Sequence, residues 1–200
     1  NYDIILKIPM KEITMNKSYF YLDMKTHELE VPFTGRNRRV RVLLPKGYAE
    51  DTERTYPVVY FHDGQNVLYS KESFSGHSWK VIPTIKRNPD ISKMIVVAID
   101  NDGMERMHEY AAWKYSETSI PGVQFGGKGT LYAEFVMDVV KPFIDKEYRT
   151  KSDKAHTAMI GSSLGGNITQ FMGLAYQDQI GCLGVFSSAN WLHQDAFDRF

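Results

Sequence analysis

Cysteine is nearly absent: Cys182 stands alone among 200 residues. No intramolecular disulfide can staple the chain, so stability must come from a packed interior. Because Cys182 lies in the apolar run 180–186, the expectation is a buried, inert thiol. No apolar stretch approaches the ~18 residues that cross a bilayer, so a membrane partner is not expected. An excess of one charge is missing too: 24 Lys and Arg balance 24 Asp and Glu, which gives nucleic acid nothing to be drawn to. His62-Asp63, His77 and His108-Glu109 lack metal-ligand spacing, so neither a metal nor a cofactor is expected. The first residues show no basic stretch followed by an apolar core, and cytoplasm is the expected location. A removed export signal would leave no trace and the chain opens at Asn1, so secretion stays an alternative.

Two local signals are weighed and set aside. In the basic segment 36–41, Arg39 and Arg41 alternate with Val40 and Val42, which reads as the solvated face of a strand rather than a phosphate clamp. Residues 122–128 nearly spell a phosphate-binding loop. However, Gly129 stands where a magnesium-binding Ser or Thr is needed, so the segment reads as a loop leading to a helix.

What is present is a repeating order of strands and helices. Residues 29–44 alternate apolar and polar like an antiparallel hairpin, and 57–62, 94–100, 156–161 and 180–186 are apolar runs of strand length, covered on both faces. Helices are expected over 77–87, interrupted by Pro83, over 130–148, kinked or broken at Pro142, and over 165–177. A long aromatic-rich loop, 101–127, is a candidate substrate wall. Strands alternating with helices imply right-handed crossovers and a mainly parallel sheet, here led by an antiparallel hairpin at the amino-terminal edge. Residues 1–200 read as one domain, and its ligand site belongs at the carboxyl ends of the strands.

One of those ends carries Gly161-Ser162-Ser163-Leu164-Gly165. The Gly-x-Ser-x-Gly spacing makes Ser163, not Ser162, the candidate nucleophile on a sharp strand-to-helix turn. The flanking glycines are needed where a Cβ would strike neighbouring backbone. A serine on such a turn needs two backbone N–H groups for the developing oxyanion. Leu164 at the helix start supplies one, and Gln65 in the turn 63–66 is favoured for the other, with Gly64 letting the chain turn close to the substrate. Asn66, Tyr110, Trp113 and Trp191 are candidate substrate contacts. The bland alternatives are an ordinary Gly/Ser turn and aromatic packing.

Three separated segments carry a resemblance. His62-Asp63-Gly64-Gln65-Asn66, then Ile99-Asp100-Asn101-Asp102-Gly103 with Arg106 and Glu109-Tyr110, then Gly161 to Gly166 look like the putative-esterase family of α/β-hydrolases, over residues from about 38 to 192. The resemblance implies an α/β-hydrolase fold with helices on both faces, and a Ser–His–acid triad in the chain order Ser, acid, His. Of the triad only Ser163 has a matching position. The acid and the histidine are expected beyond Phe200, with the last strands of the fold. Asp178 followed by His193 would satisfy the order, but Asp178 belongs to the wrong end of its helix.

The leading expectation is therefore a serine-dependent carboxylic-ester hydrolase acting on a small ester. A non-catalytic binding module of the same fold and an acyltransferase are the alternatives. Strands left without neighbours would expose apolar surface, so association into homo-oligomers is also expected.

Overall fold

A computed structural model describes residues 21–116, 122 and 124–192 of the chain. Strands β1 (Tyr21–Val31) and β2 (Arg36–Pro45) form the antiparallel hairpin, longer than the apolar alternation predicts, with Val31 opposite Arg36 across the turn. Thr34 and Gly35 N–H both donate to the Val31 carbonyl, and Gly35 takes φ +65°, a conformation a glycine adopts without a Cβ penalty.

The apolar runs become β3 (Val58–Phe61), β4 (Ile95–Ile99), β7 (Thr157–Ser162) and β8 (Cys182–Phe186). Six strands form one sheet in the order β1-β2-β4-β3-β7-β8. The pairs β4–β3, β3–β7 and β7–β8 are parallel, whereas β2 meets β4 antiparallel. Every residue of β4 is fully buried. Burial stabilises by roughly 1.5–3 kcal/mol for each large aliphatic side chain, which is why this strand can read as unbroken apolar sequence.

Side-chain alternation divides the interior between the two faces. Val58, Tyr60, Val97 and Met159 share one core with Phe135, Val140, Ile168 and Met172. Phe135 and Val140 belong to the π-helical segment Phe135–Val140, which joins α4 (Gly129–Glu134) to α5 (Lys141–Glu147), and Ile168 and Met172 belong to α6 (Leu164–Ala175). Phe61, Val96 and Ala98 look the other way, onto Val67 of α1 (Gly64–Val67) and Ile85 of α2 (Val81–Arg87).

Proline explains two boundaries. Pro142 has no N–H to donate and its ring would strike the carbonyl four residues back, so the helix widens into its π segment before resuming. Pro83 does not interrupt α2, because the helix begins at Val81 and proline is tolerated in a first turn.

Four expectations are corrected. The long loop 101–127 contains a 3-10 turn at Gly103–Glu105, α3 (Arg106–Glu109) and the two-stranded ribbon of β5 (Lys114–Ser116) and β6 (Gln124–Gly126). The fourth parallel strand is not buried, and neither is Cys182, which is exposed with Leu183 and Phe186. β8 is the last strand of the described sheet: α6 lies against it, with Leu183 close to Gly173, but among the described residues no strand pairs with its outer edge. The basic segment is a solvated face only in part, since the Arg36 and Arg39 side chains keep 58% and 41% of their exposure. Arg38 and Arg41 are buried, because Glu109, Asp100 and Glu72 stand ready to pair with them.

Candidate active site

Ser163 stands between β7 and α6 with φ 58° and ψ −124°, a backbone region that side-chain-bearing residues rarely occupy. Hydrogen bonds hold it there. Its N–H donates to the Phe186 carbonyl at 3.0 Å, and its carbonyl accepts from Gly166, Asn167 and Ala189 N–H at 2.9, 3.2 and 3.3 Å. The residue is exposed, whereas Ser162 lies within the strand. A Cβ on Gly161 would run into the Gly165 carbonyl and stand 2.6 Å from Thr169 Oγ1. One on Gly165 would stand 3.1 Å from Asp63 Oδ2, so both flanking glycines answer to crowding.

Leu164 is the first residue of the twelve-residue α6. Its N–H points with the helix dipole, which favours negative charge at that end. β3 lies beside β7 in parallel, with Phe61 opposite Ile160, and the His62 N–H donates to the Ile160 carbonyl at 3.0 Å. This brings the turn carrying Gln65 alongside the start of α6. Among the described residues, neither the Gln65 nor the Leu164 N–H has a hydrogen-bond acceptor.

Gly64 is required for a reason other than substrate access. A Cβ there would come within 2.6–2.8 Å of the Asp100 carboxylate and the β4 backbone. The turn is seated against the sheet, with Asp63 in the left-handed region at φ 57°, ψ 45°.

The candidate substrate contacts fare unequally. Tyr110 is fully buried, and its hydroxyl accepts the Asp63 N–H at 3.0 Å, so it braces the turn and cannot line an open pocket. Asn66 turns its side-chain oxygen to the Phe74 N–H at 2.9 Å and holds the loop 66–79. Trp113 is half-buried, edge-on to Phe171 of α6 at 5.7 Å. Trp191 is 72% exposed in the turn after β8, and it alone of the four offers most of its surface to a ligand. His193 lies outside the described residues, and Asp178 is exposed beyond the far end of α6.

No hydrogen bond joins Ser163 Oγ to a histidine among the described residues. His62, near in sequence to the turn, is fully buried against Tyr110 and Tyr132, with Nδ1 2.9 Å from the Tyr132 hydroxyl and Nε2 without a partner. Burial pulls its pKa down to about 4, so it is neutral near pH 7 and, enclosed by the two tyrosines, a poor acceptor for a serine proton.

Sequence reasoning missed the ion pairs behind the site. Asp63 accepts from Arg106 Nε and Nη2 at 2.6 and 2.8 Å and from Asn101 Nδ2 at 2.6 Å. Arg38 grips Glu109 with both terminal nitrogens, at 3.0 and 2.8 Å. The clue in the sequence was Asp63 directly after a buried strand: a carboxylate in that position needs a cation. Among the described residues, no helix is long and apolar enough to cross a membrane, and no cluster of three or more His, Cys, Asp or Glu could hold a metal.

The family model described as "Putative esterase" matches residues 32–199. The uncharacterized protein YbbA of Bacillus subtilis is 26% identical over 160 residues, covering 80% of this chain and 60% of its own. The endo-1,4-beta-xylanase/feruloyl esterase of Xylanibacter ruminicola is 26% identical over 175 residues, covering 82% of this chain and 21% of its own. An IroE-like serine hydrolase from Shewanella oneidensis superposes with a TM-score of 0.72 at 21% identity, covering 88% of this chain and 54% of its own. A ferulic acid esterase from Anaeromyces mucronatus gives 0.59 at 23% identity, covering 90% and 63%. The chain thus spans about three-fifths or less of the length of the relatives it matches.

Proposed function

The chain belongs to the "Putative esterase" family, and from that premise we propose that it cleaves a carboxylic ester through an acyl-enzyme formed on Ser163. The observation that carries the reading is the exposed Ser163 in its left-handed turn at the start of α6. Relatives named for feruloyl and ferulic acid ester cleavage support ester chemistry.

In the first half-reaction Ser163 Oγ bonds to the ester carbonyl carbon while its proton passes to a base. The carbonyl oxygen becomes an oxyanion between the Gln65 and Leu164 N–H groups. Such donors are each worth about 10²–10³ in turnover. The C–O bond then breaks and the alcohol leaves with the proton. Water, deprotonated by the same base, attacks the acyl carbon, which releases the acid and restores the serine. The family resemblance implies that the base is a histidine oriented by a carboxylate, a role that the enclosed His62 does not fit.

The test is Ser163→Ala in the full-length protein, assayed on p-nitrophenyl acetate and butyrate. Turnover is expected to fall at least a thousandfold, and a fluorophosphonate probe should label the parent but not the variant. Unchanged turnover in the variant would refute the nucleophile. A parent that neither reacts with the probe nor hydrolyses either ester would mark a non-catalytic binding module.

A further inference from the structure

Between the candidate oxyanion turn and solvent stands a group with no place in the chemistry above. Arg106, on α3, meets Asp63 through two parallel hydrogen bonds of 2.6 and 2.8 Å, and Asp63 itself is buried. We propose that Arg106 is a positioning residue for ester cleavage, acting through Asp63 to hold the Gln65 amide at the oxyanion. The proposal rests on the serine-esterase reading and adds to it a device that aims one of its donors.

Asp63 sits in a left-handed conformation that a side chain disfavours, two residues before Gln65. A turn of that kind persists only where its surroundings over-determine it, and here they do. The Asp63 N–H donates to the Tyr110 hydroxyl at 3.0 Å, and its carbonyl accepts the Asn66 N–H at 2.7 Å. The carboxylate takes Arg106 on both oxygens and Asn101 Nδ2 on one. Gln65 is tied from the same side, its Oε1 accepting the Asn101 N–H at 3.0 Å. The guanidinium also lies 5.1 Å from the centre of the Tyr110 ring, a cation–π contact that keeps both groups in place. On the opposite side, Asp63 Oδ2 would be 3.1 Å from a Cβ at Gly165, so the same carboxylate abuts the nucleophile turn.

One ion pair therefore indexes the two halves of the candidate oxyanion hole against each other. Arg106 thus engages this arrangement through two hydrogen bonds to the carboxylate and a cation–π contact with the Tyr110 ring. Catalytic donors lose their effect when they drift by even an ångström, so loosening this pair should slow chemistry more than it weakens binding.

The experiment uses the full-length protein with Arg106→Met, Arg106→Lys, Asp63→Asn and the double variant Asp63→Asn with Arg106→Met. Asparagine tolerates the left-handed turn, and the double variant removes both charges together and so leaves no unpaired buried charge, which guards the series against simple unfolding. Arg106→Met is expected to lower kcat for p-nitrophenyl acetate about 10- to 100-fold with KM within about threefold. Arg106→Lys should recover part of that loss, and the double variant should be no slower than the slower single one, because both act along one path. In Arg106→Met the hydrogen-bonded Asp63 and Asn66 amides of the turn should also exchange hydrogen faster, a readout that needs no catalysis. Three results would overturn the proposal: undiminished kcat in folded Arg106→Met, a rise in KM alone, or losses that multiply in the double variant. If the parent proves inactive while the amides still respond, the esterase reading fails and the bracing of the turn stands. If Ser163→Ala abolishes turnover while Arg106→Met changes neither kcat nor exchange, the positioning role fails and the esterase reading stands.

Discussion

At the scale of single residues, burial dictates which group can titrate and which can react. His62 is enclosed, and its pKa falls from an ordinary 6.5 to about 4 because its charged form loses hydration. Unfolded, the imidazole takes up a proton as pH drops below 6.5, while the folded form refuses it until about 4. Its neutral state therefore supports the fold fully above pH 6.5 and progressively less on the way down to about 4. The loss is on the order of 3 kcal/mol at about 1.4 kcal/mol per pKa unit. Urea unfolding between pH 7 and 4 should show this decline, and His62→Gln, which cannot titrate, should flatten it by a comparable amount. An equal slope in both proteins would assign the effect elsewhere. Ser163 was legible in sequence because a spacing of glycines, each crowded by backbone or a carboxylate, leaves a local signature. Asp63 and Arg106 were not, since a pair 43 positions apart has no local pattern. Tyr110 misled for a related reason: an aromatic residue in a loop reads the same whether its ring faces a ligand or a core.

At the scale of elements, α3 shows how a four-residue helix survives. It is far too short to persist by its own hydrogen bonds. Glu109, at its end, is fully buried on Arg38 of β2, and the two form a bidentate pair with Arg38 also donating to the Asp100 carbonyl at 3.3 Å. Removing one partner strands the other charge. Glu109→Gln should cost about 3–5 kcal/mol, whereas Arg38→Met with Glu109→Leu together should cost less. Equilibrium denaturation of the three proteins checks both, and a double variant worse than the single one would show that the pair stabilises outright. The parallel strands were readable because long apolar runs have few other uses. The ribbon of β5 and β6 was not, since three-residue strands fall below any period, and Gly126 there closes onto the Trp113 carbonyl with φ +81°, a contact visible only in three dimensions. β8 was misjudged for the opposite reason: its residues are apolar enough for a buried strand, yet burial depends on a neighbour that the run itself does not reveal.

At the scale of the whole molecule, the two faces of the sheet are covered unequally. One carries the long helices, and on the other α1 and α2 leave a groove of about 640 Å³ lined by Phe61, Trp79, Ile160, Leu183 and Phe186 among others. Apolar surface of this kind, beside an edge strand with no outer partner among the described residues, promotes association. The 200-residue chain on its own should therefore run above its 23.0 kDa monomer mass in light scattering. Leu183→Lys with Phe186→Glu should shift it toward the monomer, and a monodisperse parent at micromolar concentration would defeat the expectation.

The strand order carries one more consequence, and it concerns time. β4 lies between β2 and β3, although it is made after both. As the polypeptide leaves the ribosome, the first two strands can join at once, but β3 has nowhere to dock until residue 99 has emerged and slotted in between. The birth of this sheet thus waits on its most apolar strand, which must reach its slot before it meets another molecule's.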